Sequence, residues 1–138
     1  MSARLLAILV GFLGIYLLID AGFLGYGAFT LREVLRESPR SPDLFTPETG
    51  DLYANLLGGF SVFGSFGILS IASSIGLDRS KIWGTWLWLG TSVAMTLCIV
   101  GAVVLMDTPW MRFDYEMVIL VASWLCMVVL ARGKRREA

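Results

Sequence analysis

Long apolar stretches separated by short polar segments dominate the chain. A helix needs roughly 20 residues to cross the hydrocarbon core of a bilayer, which is about 30 Å thick, and four of these stretches are close to that length or longer. They cover residues 5–29, 53–76, 82–106 and 115–131. The pattern predicts an all-α integral membrane protein with four transmembrane helices packed as a bundle. The outer loop over 31–52 is too short to build a hydrophobic core of its own, so we expect one membrane domain over 1–138.

Local signals place several helix ends. Over 31–37, apolar and charged residues fall on different helical faces, so the first helix is predicted to continue past the membrane toward Pro39. Pro47 and Pro109 each follow a threonine, which supplies a capping hydroxyl before a residue suited to the first helical turn. We expect the second helix to begin near Pro47 and the fourth near Pro109.

Composition and charge narrow the classes of function. Apolar residues make up 57% of the chain and charged residues only 16%, against about a quarter in ordinary soluble domains. The 11 basic and 11 acidic residues balance, so no strong positive field attracts nucleic acid, and we expect no nucleic-acid partner. Histidine is absent, which removes the usual general base, metal ligand and haem ligand. The sequence therefore predicts no catalytic residue, no metal and no cofactor, and it favours a role other than an enzyme.

The positions of lysine and arginine predict the orientation in the membrane. Four spans place both termini on one side, and basic residues concentrate on the cytoplasmic side. The side of the termini carries seven basic residues: Arg4, Arg79, Lys81, Arg132, Lys134, Arg135 and Arg136. The opposite side carries four: Arg32, Arg36, Arg40 and Arg112. We expect both termini to be cytoplasmic, and the bacterial inner membrane to be the location.

Tryptophans follow the second of these basic clusters. Trp83, Trp86 and Trp88 come just after Arg79 and Lys81, an arrangement typical of the aromatic belt at a membrane interface. The three side chains are predicted to anchor the third helix at that interface.

Glycines recur along the first three apolar segments. In lipid, small residues let helix backbones approach closely and so favour helix association. The candidate packing positions are Gly11, Gly14, Gly22, Gly25, Gly58, Gly59, Gly64, Gly67 and Gly90. They predict tight packing of the first three helices within the chain, or a stripe that receives a helix from another subunit. The fourth helix has fewer small residues and is expected to face lipid or a partner.

One carboxylate lies well inside an apolar segment. A charged side chain at such depth costs about 2.5 to 3.5 kcal/mol, so Asp20 should face the bundle interior or be neutral. Tyr16, one turn away, and Asn55 are candidate partners in a structural clasp, and a functional proton or ligand site is the alternative. Glu116 lies one turn after Arg112, which favours a local ion pair, although an outer pocket lined by Asp20, Asn55, Arg112 and Glu116 is a further hypothesis.

These patterns lead to an expectation about function. The favoured role is a non-catalytic accessory or scaffold subunit of a larger membrane complex, with an energy-transducing complex among the candidates. Its expected contacts are membrane lipids and either other membrane subunits or further copies of itself. The alternative is a small transporter or lipid-binding protein that uses Asp20. A membrane enzyme with Asp20 and Glu116 as acid and base is a third, weaker hypothesis.

Overall fold

The protein is an all-helical chain. The computed structural model describes residues 3–37, 47–105 and 114–136. Helix α1 spans Ala3–Glu37, α2 spans Pro47–Asp78, α3 spans Ile82–Leu105 and α4 spans Asp114–Arg136. The predictions that the first helix continues past residue 31 and that the second begins near Pro47 are confirmed. The predicted start of the fourth helix near Pro109 lies outside the described residues.

α1 and α2 form the most extensive helix pair in the described structure. Small residues recur every seven positions along α1, at Ala7, Gly14, Ala21 and Ala28, and all of them are buried. A seven-residue repeat keeps one stripe turned toward a neighbouring helix, because it matches two turns of a slightly supercoiled helix. The repeat therefore aligns α1 with α2 over most of its length.

The contacts across this pair show an antiparallel arrangement. Near the start of α1, the hydroxyl of Ser74 donates a hydrogen bond of 2.7 Å to the carbonyl oxygen of Ala7. Near its other end, an added Cβ at Gly27 would lie 3.7 Å from Leu56. Residue numbers rise along α1 as they fall along α2, so the start of α1 lies beside the end of α2.

A three-residue turn joins α2 to α3. The amide of Lys81 donates to the carbonyl of Gly76 at 2.8 Å, and the amide of Ser80 donates to that of Leu77 at 3.0 Å. This pair of bonds is the Schellman motif that closes many helix carboxyl ends. Ser80 takes the left-handed conformation that the motif requires, with φ of 51°. The turn is short enough to place α3 antiparallel beside α2.

The buried core draws on all four helices. Leu6, Val10, Leu13 and Leu17 of α1 lie at its centre, with Trp88 and Met95 from α3 and Leu120 and Cys126 from α4 packed around them. α4 makes its main contacts with α1. The predicted interfacial role of Trp88 is wrong, because this side chain is 0% exposed. Trp83 and Trp86 are exposed, since they lie on other faces of α3.

Three helices are long and apolar enough to cross a membrane: Arg4–Glu37, Gly50–Asp78 and Ile82–Leu105. No more than 39% of the most apolar window of each is buried inside the bundle, so large apolar side chains cover the outside. Such a surface is unfavourable in water and ordinary in hydrocarbon. The described apolar part of α4, Glu116–Val128, is shorter.

Candidate functional site

The two ends of the bundle are named here by the connections between their helices. We call the end that holds Arg4 and Arg79–Lys81 the turn end, and the end that holds 32–37 and Asp51 the loop end. The turn end unites the start of α1 with the end of α2 and the start of α3. The loop end unites the end of α1 with the start of α2.

The candidate glycines divide into two groups by what surrounds them. An added Cβ would lie within 3.0 Å of a neighbouring helix at five of them: Gly11, Gly14, Gly25, Gly59 and Gly67. At Gly64 it would make ordinary contact with Ala21, at 3.8 Å. At Gly22, Gly58 and Gly90, no described atom lies within 4 Å of that position. The first group lies at the contact between α1 and α2, and the last group makes no close contact with the described part of the chain.

The candidate polar residues lie at different places along the bundle. Asp20 and Tyr16 are half-buried in α1, whereas Asn55 is exposed near the start of α2. Because Leu56 lies against Gly27, Asn55 is level with residues about 11 Å along α1 from Asp20. The structure does not bring Asn55 beside Asp20. Arg112 lies outside the described residues.

Glu116 is a buried carboxylate in the first turn of α4. Its residue is 3% exposed, and α4 packs mainly on α1. Glu116 and Tyr16 each take part in an interaction within the chain.

Small hydroxyl side chains also lie inside the bundle. Ser73, Ser92 and Ser123 are fully buried, and each donates a hydrogen bond to a carbonyl of its own helix, at 2.7, 3.0 and 2.8 Å. This internal bonding satisfies a buried hydroxyl and leaves a small side chain at a helix contact. Among the described residues, the buried Oγ of Ser70 and Nε1 of Trp88 have no hydrogen-bond partner. The buried serines and Trp88 therefore belong to the packed interior of the bundle.

Two open grooves follow the contact between α1 and α2. The turn-end groove has a volume of about 480 Å³ and is lined by Ala7, Ile8, Gly11, Phe12, Ile15, Ser74, Ile75, Asp78 and Arg79. The loop-end groove has a volume of about 340 Å³ and is lined by Gly22, Gly25, Tyr26, Phe29, Arg32, Tyr53, Leu57 and Phe60. Asp20 borders neither of them. Both have apolar walls and a cationic side chain in the lining.

α3 presents a second outward surface. We call the stripe formed by Gly90, Val93, Leu97, Gly101 and Val104 the α3 outer face; its members recur every three or four residues. At both glycines of this face, no described atom lies within 4 Å of an added Cβ. Leu97 is 67% exposed. Val93 and Val104 are also exposed and Gly101 is half-buried, so the described part of the chain leaves most of this face uncovered.

One close contact between α2 and α3 was not predicted from the sequence. Gly76 and Gly84 flank the turn between α2 and α3, and a Cβ added at Gly76 would lie 2.6 Å from the Cα of Gly84. Two glycines eight residues apart on either side of a short polar turn are a signal that could have identified this contact. The buried alanines of the seven-residue repeat could have been found in the same way.

The comparisons with known proteins add no functional assignment. No family model matches the chain, and no curated protein or solved structure matches it. Within the described ranges, no group of three or more cysteine, aspartate or glutamate side chains is placed to hold a metal ion. The surfaces that the described residues offer are apolar grooves and exposed helix faces.

Proposed function

We propose that the chain is a non-catalytic accessory or scaffold subunit of a larger membrane complex. In this proposal it crosses the bilayer four times, with α4 as the fourth span and both termini in the cytoplasm of a bacterial cell. The excess of basic residues on the side of the termini supports the orientation, since cytoplasmic loops of membrane proteins carry such an excess.

The observation that carries the proposal is the α3 outer face. Glycine in a helix interior costs up to about 1 kcal/mol relative to alanine, because it loses more conformational freedom on folding. At Gly14 and Gly67 that cost is offset by close contact between α1 and α2. At Gly90 and Gly101, no described atom lies within 4 Å of an added Cβ, so no close contact within the described chain offsets this cost. A helix of another subunit could approach closely there, as small residues permit in membranes.

The test is the composition of the complex that the chain forms. The protein is purified from its native membrane in a mild detergent, and the mass of the intact particle is measured. The proposal predicts a stoichiometric partner of different sequence. A particle that contains only this chain, alone or in several copies, contradicts it.

A pair of matched variants locates the contact with the partner: Gly90→Leu, and Gly22→Leu as the control. Both glycines have open space, so each isolated variant should keep the thermal stability of the parent. Gly90→Leu should lose the partner, because α3 carries a second open glycine, Gly101, on the same face. Gly22→Leu should keep it, because Gly22 is the one open glycine described on α1, and Gly25 one turn further contacts α2. Loss of the partner from both variants, or from neither, contradicts the assignment to the α3 outer face.

The alternative role, a small transporter or lipid-binding protein that uses Asp20, requires a cavity at this carboxylate. Asp20 is half-buried and lies outside the linings of both grooves. No contact in the described structure favours this role over the accessory role.

A further inference from the structure

The turn-end groove is an open groove lined mainly by apolar residues. Gly11 and Ala7 contribute little side chain to the lining, and Ile8, Phe12 and Ile75 contribute large apolar groups. Phe12 is 65% exposed, so its ring is accessible from outside the bundle. The volume of about 480 Å³ falls within the range of small-molecule sites in proteins, about 300 to 1,000 Å³.

The length of the groove is less than the depth of one leaflet of a bilayer. Its lining on α1 runs from Ala7 to Ile15, a rise of about 12 Å, and Arg4 lies one turn before Ile8 at the start of α1. Half of the hydrocarbon core is about 15 Å, so the groove is long enough for most of one acyl chain within a leaflet.

The charges at the turn end distinguish the two grooves. Arg4, Arg79 and Lys81 are exposed there, and Asp78 is the one acidic residue among the described residues of this end. The resulting charge is positive by two. At the loop end, Arg32 and Arg36 are outnumbered by Glu33, Glu37, Glu48 and Asp51, which gives a charge of minus two among the described residues. The turn-end groove therefore lies at the positive end of the described bundle, and the loop-end groove lies at the negative end.

We propose that the turn-end groove binds one anionic phospholipid. Its acyl chain lies along Phe12 and Ile15, and its phosphate lies among Arg4, Arg79 and Lys81. A partner helix fits this groove poorly, because it would have to cover the charged side chains of Asp78 and Arg79 that line it. The site rests on the membrane placement proposed above, but it does not depend on the partner at the α3 outer face.

The test is lipid binding to the purified full-length chain. The protein in detergent is titrated with phosphatidylglycerol and, separately, with phosphatidylcholine of the same acyl chains, and native mass spectrometry measures the bound fraction. A cation near a lipid surface contributes about fivefold to affinity for anionic lipid, so two net cations predict a preference of about 30-fold for phosphatidylglycerol. Equal affinities overturn the proposal.

Matched variants locate the headgroup contact. Replacement of Arg4, Arg79 and Lys81 by glutamine should reduce the affinity for phosphatidylglycerol to that for phosphatidylcholine. The control, Arg32→Gln with Arg36→Gln, removes exposed cations from the loop end and should leave the preference unchanged. A loss of preference in the control, or its survival in the first variant, refutes the assigned contact.

A second comparison tests whether the acyl chain uses the groove. Phe12→Ala removes a groove wall and should lower the affinity about fivefold, whereas Phe23→Ala removes an exposed phenyl group outside the groove and should have no effect. Soluble glycerol 3-phosphate should not compete with the lipid. Competition by glycerol phosphate would show a site for phosphate alone, and equal effects of the two alanine variants would show nonspecific lipid contact; either result contradicts the proposal. A failure here leaves the partner mass unchanged, so it is distinguishable from failure of the accessory role.

Discussion

A comparison of Gly14→Ala with Gly22→Ala tests how α1 and α2 pack. Both substitutions add one methyl group to the same helix, but the surroundings differ. At Gly14 the new Cβ would lie 2.7 Å from Ile71 Cγ1, 2.9 Å from the carbonyl oxygen of Gly67 and 3.0 Å from the amide nitrogen of Ile71. Two of these atoms belong to the backbone of α2 and cannot rotate away. At Gly22 no described atom lies within 4 Å.

The magnitude follows from two opposing effects. Alanine is favoured over glycine in a helix by up to about 1 kcal/mol at both positions, so this gain cancels in the comparison. Overpacking of a close contact costs about 1 to 3 kcal/mol. We therefore expect Gly14→Ala to be about 2 kcal/mol less stable than Gly22→Ala. The two helices must separate by several tenths of an ångström to admit the methyl group.

The assay is reversible unfolding in mixed micelles with increasing dodecyl sulfate. The fluorescence of the five tryptophans, of which Trp88 is fully buried in the core, reports loss of tertiary packing. Far-ultraviolet circular dichroism checks that both variants remain helical at the start. Equal free energies of unfolding for the two variants would refute the close approach of α1 and α2 at Gly14.

Three further predictions concern the turn, the buried hydroxyls and the orientation. Ser80→Gly should stabilise the protein by about 1 kcal/mol in the same titration, because φ of 51° costs a side-chain-bearing residue strain that glycine avoids. Ser74→Ala should cost about 1 kcal/mol, since it removes the bond to Ala7, whereas Ser70→Ala should be neutral or stabilising; the opposite order would contradict the described bonding. An impermeant thiol reagent added to intact cells should modify a cysteine placed at position 41 and spare one at position 80, and the reverse pattern would invert the proposed topology.

Helix positions could be predicted from sequence because they depend on local properties. Hydropathy over about 20 residues identified the apolar segments, and Pro47 marked the start of α2 through its own backbone chemistry. Neither inference needed knowledge of a neighbouring helix. For this reason the all-helical class and the start of α2 agree with the structure.

Helix neighbours could not be predicted in the same way, because they depend on contacts distant in sequence. Gly14 and Gly22 belong to one glycine-rich helix, yet eight residues rotate a helix by about 80° beyond two full turns, so they face different directions. The face of α1 that packs on α2 is set by contacts such as the hydrogen bond from Ser74 to Ala7, two residues that are 67 positions apart. Trp88 illustrates the same point, since its place in the core depends on residues of α1 and α4 rather than on the nearby basic residues.

Photocrosslinking in native membranes tests whether the α3 outer face contacts another subunit, as we propose. A photoreactive amino acid is placed at position 97, where Leu97 is 67% exposed, and at position 95 as a control, where Met95 is buried in the core. We expect one discrete adduct with a different polypeptide from position 97 and none from position 95. Adducts from position 97 with lipid alone, or with a second copy of this chain, would contradict it.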